Sequence, residues 1–186
     1  MKRNIVLALV TLAIGTQAFA QSPRERNGYI GISLGPSFPT GELKNDGLAK
    51  TGANISLVNF GYLFANNLGI AAKWSGNANE ISDSGEYWSY GTLLAGPLYS
   101  LPLSPKVEWD IKGLIGFGAA SLDSDYYAAT GNGLAYSIGT GIRNNFARKW
   151  ALTLNLDYTV VKPKGDFEGD KFSAMDLSIG IAYRLK

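Results

Sequence analysis

From residue 28 onward the chain repeats one pattern: about ten residues in which apolar side chains strictly alternate with small or polar ones, followed by a polar, Gly-rich or Asx-rich break. A period of two is that of a β-strand, whose successive side chains point to opposite faces, and it excludes an amphipathic helix. Eight such segments fit between residues 28 and 186. The first is Tyr29 to Phe38, with Ile30, Ile32, Leu34, Pro36 and Phe38 in one phase and Gly31, Ser33, Gly35 and Ser37 in the other. The third sets Leu68, Ile70, Ala72 and Trp74 against Gly69, Ala71, Lys73 and Ser75, and the fifth runs from Val107 to Gly118. The sixth (Leu134 to Arg143), the seventh (Trp150 to Thr159) and the last (Met175 to Arg184) alternate in the same way. In the second, the apolar phase switches between Leu57 and Val58, which predicts a β-bulge near Val58. The fourth, Trp88 to Tyr99, carries apolar groups in both phases, and Pro97 weakens one end.

The connections alternate in length. Residues 39–52, 76–87, 121–132 and 162–170 read as long and polar, whereas 65–67, 100–105 and 144–148 are short. Successive antiparallel hairpins that turn at opposite rims of an up-and-down barrel produce this alternation.

Alternation alone does not say which face is inside, but side-chain volume does. In the six clean segments one phase has 30 positions and no charge, while the other has 29 positions with 8 charges and 8 glycines. The lumen of an eight-stranded barrel is only wide enough to be filled by its inward side chains, so a phase holding Trp74, Trp109 and Trp150 must face outward. An apolar belt of that extent far exceeds what a soluble monomer exposes, and lipid is its natural neighbour. A closed barrel also leaves no unpaired backbone groups in hydrocarbon. The sequence therefore predicts an all-β, eight-stranded antiparallel up-and-down transmembrane β-barrel. Tyr29, Phe38, Trp74, Trp88, Trp150, Tyr158 and Tyr183, near strand ends, are expected in its interfacial aromatic girdles.

The first twenty residues have a different character. Lys2 and Arg3 precede an apolar run from Ile5 to Ile14, and Ala18-Phe19-Ala20 places small residues at both recognition positions before Gln21. Residues 1–20 are thus expected to be a cleaved export signal, and 21–186 the barrel domain. A run of ten is too short to span a bilayer as a helix. Without Lys2 and Arg3 the 17 basic residues become 15 against 15 acidic ones, so the overall charge gives no reason to expect nucleic acid as a partner.

With no Cys and no His, the chain has no disulfide framework, thiolate or imidazole metal site, Ser-His arrangement or Cys nucleophile. No catalytic, cofactor-binding or metal-binding residue is expected. The small-residue phase instead carries Lys73, Lys112, Arg143 and Arg184 against Glu108, Asp110, Asp157 and Asp176, four of each sign. Burying an unpaired charge is costly, so these eight are expected to form a structural, charge-balanced network in the lumen. The four long connections sum to −6 and the opposite rim to +5. Divalent cations bridging the acidic loops to lipid headgroups are a weaker alternative to ordinary solvated loops.

The segments Gly61-Tyr62, Asn66-Asn67-Leu68-Gly69-Ile70 and Ala95-Gly96-Pro97, with the closing alternation from Met175, resemble the small eight-stranded outer-membrane barrels of the OmpA/OmpX-like class, the outer membrane protein beta-barrel domain. The resemblance covers essentially residues 28–186 and implies the outer membrane of a Gram-negative bacterium, with both termini periplasmic and the long loops outward. It implies outer-membrane lipids and lipopolysaccharide, together with the export and barrel-assembly machinery, as partners; it names no extracellular ligand. Members usually end their last strand in an aromatic residue, whereas this chain ends Tyr183-Arg184-Leu185-Lys186. The expected function is a non-catalytic envelope-structural or surface-contact role, with a narrow ion or solute channel as the alternative.

Overall fold

A computed structural model describes residues 28–41, 50–64, 67–81, 87–123, 128–166 and 171–185. The expected signal segment, residues 1–20, lies outside the described residues, as do Asp83, Glu86 and Asp125 of the expected acidic loops. Eight strands follow in chain order: β1 (Gly28–Thr40), β2 (Gly52–Leu63), β3 (Leu68–Glu80), β4 (Tyr87–Pro102), β5 (Val107–Asp123), β6 (Ala128–Asn144), β7 (Trp150–Pro163) and β8 (Phe172–Leu185). Each pairs antiparallel with its neighbour, and β1 pairs with β8, closing an up-and-down barrel.

The register fixes the stagger. Moving across the strands from Thr153 of β7 through Gly180, Ser33, Ser56, Ser75, Thr92, Gly118 and Gly133 returns to β7 at Pro163, ten residues further along. Such a shear requires strands tilted by roughly 35–45°. At that tilt, about 9–11 residues cross the hydrocarbon, so these strands of 12–17 residues also project beyond it.

Face assignment follows side-chain size as the alternation predicts. Trp109, Leu154 and Ile179 face outward, at 37%, 50% and 53% exposure, whereas Asp157 and Arg143 are buried inside at 1% and 2%. Phe38, Trp74 and Trp150 lie on the outer surface. The lipid-facing hydroxyl of Thr140 is satisfied locally: it accepts a hydrogen bond from Trp109 Nε1 at 2.6 Å and donates to the Asp110 carbonyl at 3.2 Å. Such pairing removes the cost of a bare hydroxyl in hydrocarbon. The predicted bulge is present: the β1–β2 and β2–β3 registers both slip between Ser56 and Asn59, leaving one extra residue on β2.

Two expectations about the aromatics are corrected. Tyr29 and Trp88 do not join the outer girdle; both are buried in the lumen. Trp88 falls in the inward phase of β4 with Tyr90, Leu94 and Leu98, which explains why that segment is apolar in both phases. Pro97, lacking an N–H, sits where the β4–β5 pairing is interrupted between Ala95 and Leu98. The long connections are also shorter than expected, because residues 76–80, 121–123, 128–132 and 162–163 continue the strands, the first three despite Gly, Ser or Asn among them.

Candidate functional site

The inward phases of all eight strands build the lumen, and its described charges converge in two groups. Arg143 on β6 pairs with Glu108, its cross-strand neighbour on β5, and with Asp110 at 3.3 Å. Its Nη2 also reaches Ser100 Oγ on β4 at 3.4 Å, and its guanidinium stacks over the Tyr29 ring, 4.1 Å from the centroid. Tyr29 fits there because its partner in register is Gly61, where an added Cβ would overlap the ring. In the second group, Asp157 on β7 accepts from Lys73 Nζ at 2.8 Å and lies 3.6 Å from Lys112 Nζ. These charged side chains are almost fully shielded, which raises the cost of separating them.

Two of the eight sequence-predicted residues make no ion pair with these groups among the described contacts. Asp176 on β8 is buried directly across from Asp157 and accepts from the neutral amide of Asn77, Nδ2 at 2.6 Å, with Ser37 and Lys73 also acting on it. The same Asn77 also donates to Ser37 Oγ at 2.7 Å and accepts from Asn54 Nδ2 at 2.7 Å, so four strands meet in one polar chain. Arg184 sits at the short-turn rim instead of the lumen, donating to the Arg148 carbonyl at 3.5 Å. Arg184 is next to last in β8, where the inward phase has already left the barrel interior. Sequence reasoning placed Tyr29 in the girdle and Asn77 in a long connection, and it put Ser37 in the small-residue phase without giving it a role.

The long-loop end is closed by apolar packing. Trp88 lies 5.0 Å from Tyr90 and 4.9 Å from Phe172, ring centroid to centroid. Ala120, Ala129, Val161 and Ala174 join the same cluster. Beside the charges, a cavity of about 10 Å³ remains among Lys73, Asp110, Lys112 and Arg143, room for roughly one water. Among the described residues no cluster of three or more acidic side chains could hold a metal. The lumen can therefore lock the strands together through buried ion pairs.

Closed up-and-down pairing, an apolar exterior and a packed, charged interior define a transmembrane β-barrel protein. The chain belongs to the outer membrane protein beta-barrel domain family, whose model matches residues 6–184. The fold is similar to that of Neisserial surface protein A, at 14% identity and a TM-score of 0.65, covering 86% of this chain and 99% of that one. It is also similar to Ail, the attachment invasion locus protein of Yersinia pestis, at 19% identity and a TM-score of 0.56, covering 87% and 100% of the two chains. A third likeness is a major outer membrane protein from Thermus thermophilus, at 15% identity and a TM-score of 0.52, covering 87% and 100%. No curated protein matches the chain.

Proposed function

We propose that this is a non-catalytic, non-conducting outer-membrane barrel that serves envelope structure and makes surface contacts through its long loops. The lumen supports this reading, because ion pairs fill its middle and the Trp88, Tyr90 and Phe172 rings cover its long-loop end. The eight sequence-predicted lumen charges are read as structural. Single-channel recording in a planar bilayer tests the proposal: the expected trace is silent, and reproducible conductance steps would establish the channel reading instead.

Short turns at one rim favour a periplasmic position for that rim and both strand termini, with lipopolysaccharide against the opposite end. Ail, which has been crystallised with the heparin analogue sucrose octasulfate, offers a precedent for surface contact by a barrel of this shape. Residues 1–20 act as the export signal in this proposal, after which the assembly machinery receives a chain beginning at Gln21. N-terminal sequencing of the membrane-inserted protein should read Gln21 first; a start at Met1 would remove the signal assignment.

A further inference from the structure

Charge is distributed unevenly along the barrel axis. Among the described residues, the long-loop end mixes Lys50, Lys162, Lys164 and Lys171 with Glu80 and Asp166. The short-turn rim carries Lys106, Arg148, Lys149 and Arg184 and, among the described residues, no Asp or Glu, since Glu108 and Asp110 point into the lumen. Like charges gathered without counter-charges repel one another, so an anion that neutralises them gains more here than at the mixed rim.

Backbone contacts hold these cations side by side. Asn145 N donates to the Lys106 carbonyl at 2.7 Å, joining the β4–β5 turn to the β6–β7 turn. On the other flank Arg184 N donates to the Lys149 carbonyl at 2.9 Å. Next to them lies an interfacial apolar edge. Trp150 meets Tyr183 edge-on at 5.3 Å, Lys149 Nζ lies 5.9 Å from the Tyr183 ring, and Leu103 and Phe146 are exposed in the two turns. Amphipathic aromatic rings settle at headgroup depth in a bilayer, which places the four cations at the phosphate layer.

We propose that this rim is a binding site for the phosphate groups of anionic glycerophospholipids. The ligand class follows from the chemistry. Two apolar turns and an aromatic pair accept acyl chains and glycerol, while Arg148 and Arg184 offer forked donors suited to phosphate oxygens. In the orientation proposed above, on which this inference rests, the short-turn rim meets the phospholipid leaflet, so a lipid phosphate lies within reach. The site works independently of whether the lumen conducts. Each Lys or Arg near an anionic lipid surface strengthens binding to it by about fivefold, and four cations at one rim should give a preference for the anionic lipid of at least about tenfold.

The test uses the full folded chain in micelles containing equal phosphatidylglycerol and phosphatidylcholine, with retained lipids identified by mass spectrometry of the intact protein. The wild type should retain phosphatidylglycerol at least about tenfold over phosphatidylcholine. The K106Q/R148Q/K149Q/R184Q variant should fall to parity, while K162Q/K164Q at the opposite rim keeps the preference. A heat-modifiable gel shift confirms that each variant is folded. Should the quadruple variant fail to fold, R148Q/K149Q, confined to an exposed turn, takes its place with a partial loss expected. Equal retention of the two lipids by the wild type, or an undiminished preference in the folded variant, overturns the proposal. Retention of inorganic phosphate by the wild type with phosphatidylglycerol held no better than phosphatidylcholine overturns it in favour of a free-anion site. Parity between lipids with retention of polyglutamate overturns it in favour of an acidic protein partner.

Discussion

Replacing Arg143 with alanine tests the physics of the lumen most directly. The substitution removes the cation from two carboxylates, Glu108 and Asp110, which share one face of β5 and are both buried. Removing one partner of a buried pair costs about 3–5 kcal/mol, because the remaining charge keeps its desolvation penalty and loses its compensation. Loss of the guanidinium over Tyr29 adds about 0.5–2 kcal/mol. Urea unfolding in micelles, followed by tryptophan fluorescence and the heat-modifiable band, should show the midpoint falling with little change in slope. The cause is separable by a cycle. In an E108Q/D110N background Arg143 is itself the uncompensated buried charge, so R143A removes that penalty along with packing and ring contact and should cost no more than about 1–2 kcal/mol. A loss below roughly 1 kcal/mol in the wild-type background, or an equal loss in both backgrounds, refutes the claim that buried ion pairing holds this region.

Five further substitutions probe the lumen glycines, the buried carboxylates and the long-loop end. Gly139→Ala would drive a Cβ into the Asp157 carboxylate and displace it from Lys73, at an expected cost of about 1–3 kcal/mol, whereas Gly113→Ala projects into open space and should leave the urea midpoint unchanged. Asp157→Asn should cost about 3–5 kcal/mol because it strands Lys73 and Lys112, while Asp176→Asn, whose described partner is the Asn77 amide, should cost about 0.5–1.5 kcal/mol; the reverse ranking in urea titrations would contradict the assigned partners. Trp88→Ala should destabilise by about 3–5 kcal/mol through the cavity left beside Tyr90 and Phe172, and an unchanged midpoint would argue against a packed long-loop end.

How far these features are legible in the sequence depends on how local their cause is. Which face of a strand meets lipid is written in its own alternation, and the β2 bulge shows as a change of phase at Val58 within a single strand. Strand ends are less visible, because Gly76, Asn77 and Asn79 look like loop residues even though the barrel pairs them with β4. There pairing outweighs propensity. The interior placement of Tyr29 depends on Gly61 lying opposite it, and a pair of that kind is known only after the register is known. Trp88 has the same difficulty: an aromatic near a strand end resembles a girdle residue until the phase of its apolar-rich strand is settled.

The same dependence on register explains why eight balanced charges do not become four matched pairs. Gly139 on β6 lies directly between Lys112 on β5 and Asp157 on β7. Adjacent strands stand about 4.8 Å apart, so a side chain at that position would block an ion pair reaching across two spacings. With glycine there, Lys112 Nζ comes within 3.6 Å of Asp157 and within 3.5 Å of Asn155 Oδ1. Gly141 lies in the same way between Asp110 and Asn155. The lumen glycines of β6 therefore act as spacers that let charges on alternate strands meet, and the pairing follows where a side chain is missing as much as where a charge is present. Asp157 thereby gains two lysines and Arg143 two carboxylates, while Asp176, directly across from Asp157 on β8, takes its hydrogen bond from the neutral Asn77 amide.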